Sequence, residues 1–422
     1  MTSSHPSETA VIVGASLAGA TAAQTLRDGG YEGSVVLVGE EPSRPYERPP
    51  LSKGYLLGND ERDTIFVHPQ DWYAEHDVEL RLGTTATSID RDARQVRLSD
   101  GGTLPYDRLL LTTGSAPRLL DVPGADLDGV RYLRRVEDTD AIRDAFARKP
   151  RVVVIGAGWI GLETAAAARQ AGLDVTVVEM AELPLLRVLG PEVAQVFADL
   201  HREHGVDFRF RTGISEVVGE NGHVTGVRLS DGTGSAEATV LPADLVLVGV
   251  GISPRTDLAT QAGLDVSNGI DTDEHLRTSD PRIWAAGDVA NAWHPVLQRR
   301  VRVEHWENAR QEGRVAAEAM LGKNSAHDRL PYFFTDQYDL GMEYTGYVDP
   351  TPGSDLAYDA VVFRGDKAGR EFISFWLRDG RVLAGMNVNV WDVVDDVSAL
   401  ITSGKQVDAA RLADPAVPLG EL

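Results

Sequence analysis

The sequence predicts an α/β fold with two parallel-sheet domains, followed by a C-terminal α+β domain. Two segments predict the first part: residues 10–30 (AVIVGASLAGATAAQTLRDGG) and 152–172 (VVVIGAGWIGLETAAAARQAG) each read as an apolar strand, a glycine turn and an alanine-rich helix. The last domain is predicted because strand-like stretches from about residue 323 onward give way to a helical tail.

Both glycine turns have the composition of a dinucleotide-binding turn, in which a helix N-terminus offers N–H groups and a positive dipole end to a diphosphate. A single such turn also serves ordinary packing, but two similar copies favour two Rossmann-like dinucleotide-binding modules. Ser16 stands where a second glycine normally lets the backbone approach the pyrophosphate, and serine is small enough to be tolerated. The turn residues are Gly14, Ser16 and Gly19 in the first copy and Gly156, Gly158 and Gly161 in the second.

Each helix is followed by an apolar strand that ends in glutamate. Glu40 and Glu179 lie 21 and 18 positions beyond Gly19 and Gly161, close to the separation expected for an acid that accepts hydrogen bonds from an adenosine ribose. Because a carboxylate repels a 2′-phosphate, Glu179 predicts that the second module prefers NADH to NADPH.

Two similar segments mark where the chain crosses between domains. Residues 106–118 (YDRLLLTTGSAPR) and 243–257 (ADLVLVGVGISPRTD) are each a buried strand that runs into glycine and then Pro-Arg. They predict that the second module is inserted into the first domain. The predicted domains are 1–117 with 244–322, then 118–243, then 323–422.

Composition excludes several functions. The net charge of −23 argues against nucleic acid or an anionic membrane as general partners. The chain has no cysteine, which excludes disulfides, thiolate catalysis and cysteine-ligated metal within it, and we expect no metal site. The start, MTSSHPSETA, is polar, and the longest apolar runs are too short to span a bilayer, so we expect a cytoplasmic protein.

Several motifs together resemble the flavoprotein pyridine-nucleotide reductases of the glutathione-reductase superfamily, and more narrowly the NADH-dependent ferredoxin reductases of bacterial oxygenase systems. The resemblance covers essentially the whole chain. Besides the two glycine turns, its motifs are RPPLSK (48–53), TTG followed by PR, TSDPRIWAAGDVA (278–290), VEHWENA (303–309) and FFTDQYDLGMEYTG (333–346). The resemblance implies that one non-covalent FAD binds to the first module and NADH to the second.

The resemblance also implies which residues hold the cofactors, with Asp288 on the flavin ribityl chain. The expected FAD residues are Gly14, Ser16, Leu17, Ala18, Gly19, Glu40, Arg48, Pro49, Lys53, Thr113, Gly114, Asp288, Val289, Glu304, His305 and Trp306. The expected NAD residues are Gly156, Gly158, Trp159, Ile160, Gly161, Glu163, Glu179 and Gly251.

The lysine of the RPPLSK motif is the expected catalytic centre. The two prolines restrict the backbone, and we expect Ser52 to cap a new helix just before Lys53. The resemblance places Lys53 beside flavin N5 and pairs it with Glu163. There an ammonium stabilises negative charge as it develops, and the pairing compensates the carboxylate. An exposed lysine near a helix start is the simpler alternative.

Two tryptophans have two interpretations each. Trp159 lies inside the second glycine turn, where an aromatic ring either covers the nicotinamide side of the flavin or packs between modules. The resemblance places Trp306 near the pyrimidine edge of the flavin, and core packing is the alternative.

Without cysteine the chain cannot use a redox thiol facing the flavin, so electrons must leave the flavin directly. The expected acceptor is an acidic 2Fe–2S ferredoxin. Residues 298–314 carry five arginines against three glutamates, and the resemblance places this stretch next to the flavin. We therefore expect docking near Arg302 and Arg310, although a solvated helix start has the same composition. Phe333 and Phe334 could add an apolar contact, but core packing is the stronger expectation for them.

Two other functions share these cofactor motifs: an NADH:quinone or oxygen oxidoreductase, and a redox-responsive NADH-binding flavoprotein resembling apoptosis-inducing factor. The sequence leaves a monomer and a weak dimer open, and it names neither the ferredoxin nor the terminal oxygenase.

Overall fold

The computed structural model describes residues 8–230, 239–349, 354 and 356–422. The polar start, on which part of the cytoplasmic prediction depends, lies mostly outside these residues. The chain forms two compact units. The first contains residues up to Arg48, Arg62–Ala116 and Ser253–Arg329, and the second contains Pro49–Glu61, Pro117–Ile252 and Leu330–Leu422.

A five-stranded parallel sheet forms the centre of the first unit. Its strands are rich in buried β-branched and leucine residues, as expected for a sheet covered on both faces. Their order across the sheet is Ile283–Ala285, Arg108–Leu111, Thr9–Val13, Ser34–Val38 and Val78–Arg81.

Two helices pack on one face of this sheet, Leu17–Asp28 and Trp306–Met320. They approach so closely that a Cβ on Gly313 would lie 2.4 Å from the carbonyl oxygen of Ala18. The opposite face is covered partly by an antiparallel sheet of strands Ala86–Asp90, Gln95–Leu98 and Thr103–Pro105. The unit also contains helices Trp72–Glu75 and Asp257–Gln261, a 3₁₀ turn Arg62–Ile65, and strands Ile270–Thr272, Ala290–His294 and Arg299–Val301.

The second unit repeats the parallel arrangement. Its five-stranded sheet has the order Asp207–Arg209, Val175–Val178, Val152–Ile155, Leu245–Val248 and Val130–Tyr132. Its helices are Val136–Phe146, Trp159–Gln170 and Leu186–Glu203. An antiparallel sheet of strands Gly213–Glu220, His223–Ser230 and Val240–Pro242 follows. The 3₁₀ turn Pro49–Ser52 and the short helix Gly54–Leu57 belong to the same unit.

The C-terminal part of the second unit is a five-stranded antiparallel sheet with two helices. The strand order is Tyr332–Gln337, Leu340–Gly346, Arg381–Val388, Glu371–Arg378 and Ala360–Asp366. Helices Val394–Ser403 and Ala409–Ala413 follow, then a 3₁₀ turn Leu419–Glu421. Phe372, Trp376 and Met386 are completely buried in a core shared with Phe197 and Leu200 of the preceding helix.

The predicted fold class, two Rossmann-like parallel sheets with a C-terminal α+β part, is confirmed. The chain passes between the two units near strands Ser115–Pro117 and Ile252–Pro254, close to the Pro-Arg positions. The division into three domains at the predicted boundaries stays a prediction. None of the helices in the described part of the chain combines the length and apolarity needed to cross a bilayer.

Candidate active site

Both glycine turns use their first and third glycines for the same physical reasons. Gly14 and Gly156 have φ of +123° and +94°, in the region that favours glycine. A Cβ on either would also lie 2.0 Å from Thr112 O or 2.5 Å from Gly249 O. The third glycines, Gly19 and Gly161, allow the helix to start directly on the turn, because a Cβ there would lie 2.1 or 2.0 Å from the carbonyl oxygen of the first glycine.

The middle turn position differs between the copies. Ser16 and Gly158 have φ of −125° and −79°, which any residue can adopt, so the backbone does not require glycine in either turn. A Cβ on Gly158 would meet nothing within 4 Å. Open space beside a helix N-terminus is what a dinucleotide diphosphate needs, so the second turn fits the predicted NADH.

The two glutamates after the modules are held in different ways. In the first unit, Glu40 Oε1 lies 2.7 Å from Nη1 of Arg255. In the second unit, Glu179 accepts hydrogen bonds from the backbone N–H groups of Ala157 at 2.7 Å and Ala181 at 2.8 Å. Ala157 is part of the glycine turn, so the Glu179 carboxylate stands at the turn itself, as a ribose acceptor would.

Several predicted FAD residues meet around Asp288 in the first unit. A Cβ on Gly287, which has φ of +80°, would lie 3.3 Å from the Cβ of Ala18 in the first helix. Asp288 interacts electrostatically with Arg48 and with His305. Burial lowers the pKa of His305 to about 4 despite the opposing effect of Asp288, so this imidazole is neutral at pH 7.

The other predicted FAD residues of the first unit lie on neighbouring segments. Thr113 Oγ1 donates to Arg255 O at 2.8 Å, and Gly114 O accepts from the Arg255 N–H at 2.9 Å. Glu304 is ion-paired with Arg302. Leu17 and Val289 are buried.

Trp306 begins its helix and does not belong wholly to the core. It is half-buried, it interacts electrostatically with Glu47, and the guanidinium carbon of Arg310 lies 5.1 Å from its ring centroid. Burial raises the pKa of Glu47. The predicted flavin contact of Trp306 stays a prediction.

The second unit contains the Lys53–Glu163 pair. Lys53 Nζ lies 2.7 Å from Glu163 Oε1, and the two side chains are 18% and 5% exposed. Lys53 lies between the 3₁₀ turn Pro49–Ser52 and the short helix Gly54–Leu57, so the prolines do lead into its position. Its ammonium lies 5.7 Å from the ring centroid of Phe334. A solvated surface lysine is therefore excluded, while its catalytic role stays a prediction.

Two further hydroxyl groups hold Glu163, and both were missed as site residues. Ser52 Oγ donates to Glu163 Oε2, and Thr335 Oγ1 donates to Glu163 Oε1 at 2.5 Å. The expectation that Ser52 caps the next helix is wrong, because Lys53 occupies the N-cap position and the serine hydroxyl is directed to Glu163 and Pro49 O. The alternation of strand Tyr332–Gln337, which buries Thr335, was the available signal.

The remaining predicted NAD residues surround the second turn. Trp159 is half-buried, with its ring centroid 5.6 Å from that of Phe197 and 5.1 Å from that of Phe333. Packing therefore accounts for part of this ring, and its movement on NADH binding stays a prediction. Ile160 is 43% exposed, and Gly251, with φ of +100°, accepts from the Arg118 N–H at 2.9 Å.

Comparison with known proteins agrees with this arrangement. Residues 8–313 match the family described as pyridine nucleotide-disulphide oxidoreductase, and residues 332–422 match the reductase C-terminal family. Putidaredoxin reductase from Pseudomonas putida is 40% identical over 99% of this chain and 97% of its own length. The ferredoxin–NAD(+) reductase component of the anthranilate 1,2-dioxygenase system from Burkholderia cepacia is 40% identical over 97% of this chain and 98% of its own.

Solved structures give the same result. The crystal structure of a covalent putidaredoxin reductase–putidaredoxin complex superposes with a TM-score of 0.92 at 40% identity, covering 99% of this chain and 98% of that one. This chain therefore belongs to the pyridine nucleotide-disulphide oxidoreductases and, within them, to the ferredoxin reductases that resemble putidaredoxin reductase. The cofactors predicted from the sequence, FAD and NADH, are those of this family.

Proposed function

We propose that this chain is an FAD-dependent NADH:ferredoxin oxidoreductase. It accepts a hydride from NADH and passes electrons singly to a 2Fe–2S ferredoxin that feeds a haem-thiolate monooxygenase or a ring-hydroxylating dioxygenase. The observation that carries the proposal is the largely buried Lys53–Glu163 ion pair, whose carboxylate lies two residues past the last glycine of the NADH turn.

The residues of the chain position and stabilise the reacting groups. FAD, when bound, supplies the conversion of a two-electron donor into single electrons. Lys53 provides a fixed ammonium where negative charge develops on reduction, a contact made before the reaction and therefore without reorganisation. Glu163 holds that ammonium in place, and Ser52 and Thr335 hold Glu163.

The acceptor follows from what the chain lacks and from its relatives. With no cysteine in the sequence, no thiol of this chain can take electrons from the flavin. One relative is the reductase of putidaredoxin, and another serves an anthranilate dioxygenase system. An acidic iron–sulfur protein of this kind is the acceptor that we propose.

The exposed face of helix Trp306–Met320 is the proposed docking surface. Arg310 and Arg314 are 48% and 44% exposed, and Arg329, 62% exposed, shares Glu307 with Arg310. These three arginines, with Arg329 beside the helix rather than on it, are paired with Glu307 and Glu318 in a strongly acidic protein. Arg302 contributes little, because its side chain is 11% exposed and ion-paired with Glu304.

A panel of purified ferredoxins tests the proposal. The FAD-loaded protein, NADH, cytochrome c and one ferredoxin at a time are mixed, and the rate of cytochrome c reduction is measured. We expect at least one acidic 2Fe–2S ferredoxin to raise this rate in a saturable manner. Fast turnover with quinone or oxygen and no gain from any ferredoxin would instead assign the chain to the NADH oxidases or quinone reductases. Slow reoxidation with a long-lived NAD complex would indicate a redox-responsive binding protein.

A further inference from the structure

A series of hydrogen-bonded side chains leads away from Glu163 through the interior of the second unit. Thr335 Oγ1 lies 2.5 Å from Glu163 Oε1, and Gln337 Nε2 lies 3.3 Å from Thr335 Oγ1. The series continues from Gln337 Oε1 to His201 Nε2 at 2.8 Å, and from His201 Nδ1 to the hydroxyl of Tyr338 at 3.4 Å. The proposed function uses only its first member.

Ordinary packing does not explain these residues. Thr335 and Gln337 are 1% exposed and His201 is 0% exposed, among the apolar side chains around Phe197 and Phe333. Burying a polar side chain costs free energy unless its hydrogen bonds are made. Several buried polar side chains in a row are therefore expected only where they form hydrogen bonds with one another. Strand alternation places Phe333, Thr335 and Gln337 on one buried face, and helix Leu186–Glu203 supplies His201.

The chemistry of the donors assigns a direction to every hydrogen bond. The carboxylate of Glu163, which is paired with Lys53, can only accept hydrogen bonds. Thr335 must therefore donate its single hydroxyl proton to Glu163. Thr335 must then accept from Gln337, which requires the amide nitrogen of Gln337 on that side and its carbonyl oxygen toward His201.

The same reasoning continues at the histidine. Because Nε2 of His201 faces a carbonyl oxygen, that nitrogen carries the proton, and Nδ1 is left to accept from the Tyr338 hydroxyl. Burial lowers the pKa of His201 to about 4, with the Gln337 hydrogen bond acting in the opposite direction, so the ring is neutral at pH 7. Every donor in the series therefore points toward Glu163.

We propose that Thr335, Gln337 and His201 are positioning residues, which keep the carboxylate of Glu163 turned toward Lys53. The series orients a carboxylate, and the carboxylate in turn holds the ammonium at one point. This inference deepens the proposed function and rests on it, because it assigns the arrangement a purpose in flavin reduction by NADH.

The first arm of the test compares three hydroxyl variants. In Thr335→Val, a methyl group replaces the hydroxyl at nearly constant volume, and we expect the limiting rate of flavin reduction in anaerobic stopped flow to fall about tenfold, since a hydrogen bond to a charged group is lost. The apparent NADH dissociation constant should stay unchanged. Thr335→Ser keeps the donor and should restore the rate. Thr345→Val is the matched control, because Thr345 is also buried in this sheet but its hydroxyl faces Ser398.

The second arm does not depend on turnover. The chain contains 10 histidines, so ¹⁵N-histidine labelling of the FAD-loaded, oxidised protein gives a tractable spectrum, and loss of one signal in His201→Gln assigns His201. We expect a neutral ring protonated on Nε2 at pH 7, and Gln337→Leu should change that tautomer by removing its acceptor. A ring protonated on Nδ1, or one that titrates near its ordinary pKa, would overturn the proposed direction.

The outcomes separate this inference from the proposed function. If wild-type protein is reduced rapidly and Thr335→Val behaves like Thr345→Val, the positioning role is wrong and the reductase function stands. If wild-type protein is not reduced by NADH, the reductase function fails and the purpose assigned to the series fails with it, although the tautomer measurement still decides its direction. A slow Thr335→Val that Thr335→Ser does not rescue would also count against the positioning role.

Discussion

The two glycine modules share the same backbone geometry but carry different side chains at equivalent positions. Two positions after the third glycine, the first helix carries Thr21 and the second carries Glu163, the partner of Lys53. Glu40, at the end of the next strand in the first unit, is ion-paired with Arg255, which is far away in the sequence. Its counterpart Glu179 accepts hydrogen bonds from backbone N–H groups of its own module. The shared backbone geometry fits dinucleotide binding in both modules, whereas the side chains at equivalent positions differ between them.

Each unit contains a buried glutamate, and the surroundings of these two side chains differ. Glu163, 5% exposed, faces an ammonium and two hydroxyl donors. Glu312, 1% exposed, accepts from the Gly287 N–H at 2.7 Å and has His327 Nε2 at 3.5 Å. Burial raises the pKa of Glu312 to about 8 and lowers that of His327 to about 3, so both groups are mostly neutral at pH 7. The two buried carboxyl groups therefore differ in their neighbours, which are an ammonium for Glu163 and an imidazole for Glu312.

The largest expected effect comes from Lys53, the partner of the glutamate that has no counterpart in the first module. Lys53→Met should slow flavin reduction by NADH by a factor of roughly ten to a thousand, because one preorganised contact to a developing charge is lost. Anaerobic stopped flow measures this rate, and FAD content should stay normal. The exposed Lys405→Met serves as the control. Glu163→Ala should be non-additive with Lys53→Met, since contacting residues couple. A near-normal rate in Lys53→Met would leave the pair a structural role only.

Substitutions of the two strand-end acids, Glu179 and Glu40, should affect the binding of different cofactors. Glu179→Ala should narrow the NADH over NADPH preference, as the ratio of kcat/KM values, by roughly 10- to 100-fold, the loss expected for hydrogen bonds to a charged acceptor. Glu40→Ala should weaken FAD binding and leave that ratio unchanged. If both variants changed the ratio equally, or if wild-type protein preferred NADPH, the ribose role assigned to Glu179 would be wrong.

Glu312, the buried carboxyl group of the first unit, should affect how the free energy of unfolding depends on pH. Glu312 has an ordinary pKa of 4.5 and a folded pKa of about 8, so its proton stabilises the fold below pH 4.5, and that contribution is lost as the pH rises through 8. Glu312→Gln should therefore flatten the decline in unfolding free energy between pH 5 and 8, by up to about 1.4 kcal/mol per pH unit for one proton. Thermal unfolding of the FAD-loaded protein measures this, with the exposed Glu32→Gln as control. Parallel curves for Glu312→Gln and wild type would contradict the assignment.

The smallest expected effect concerns the arginine surface, which lies on the first unit alone. Arg310→Glu should raise the apparent KM for ferredoxin by about three- to tenfold at low salt, and less at high salt, because attraction between exposed charges is screened within about 10 Å at 0.1 M ionic strength. Ferricyanide reduction should be unaffected. Arg202→Glu is closely matched, since Arg202 is also 48% exposed and paired with an acid three residues away. Equal losses with both acceptors would assign Arg310 to the FAD site.

The sequence by itself determined the frame of both modules. The glycine turns could be recognised because only glycine fits a positive φ beside a carbonyl oxygen, as at Gly14 and Gly156, and such positions repeat at a regular spacing. The pairing of Lys53 with Glu163 came from the family resemblance rather than from spacing, because 110 residues separate the two. Composition alone was enough to remove thiol chemistry, since the chain contains no cysteine.

The tertiary structure alone decided the surroundings of Glu163 and the exposure of the arginines. The local sequence suggested that Ser52 caps a helix, because it gives information only about the neighbouring backbone. In the structure the Ser52 hydroxyl donates to the carboxylate of Glu163, 111 residues away. Strand alternation could mark Thr335 and Gln337 as buried, but their hydrogen bonds with His201 and Glu163 depend on which strand and helices become neighbours. Arg302 and Arg310 looked equivalent in composition, but packing left one 11% exposed and the other 48% exposed. Contacts of this kind are non-local, and no periodicity in the chain encodes them.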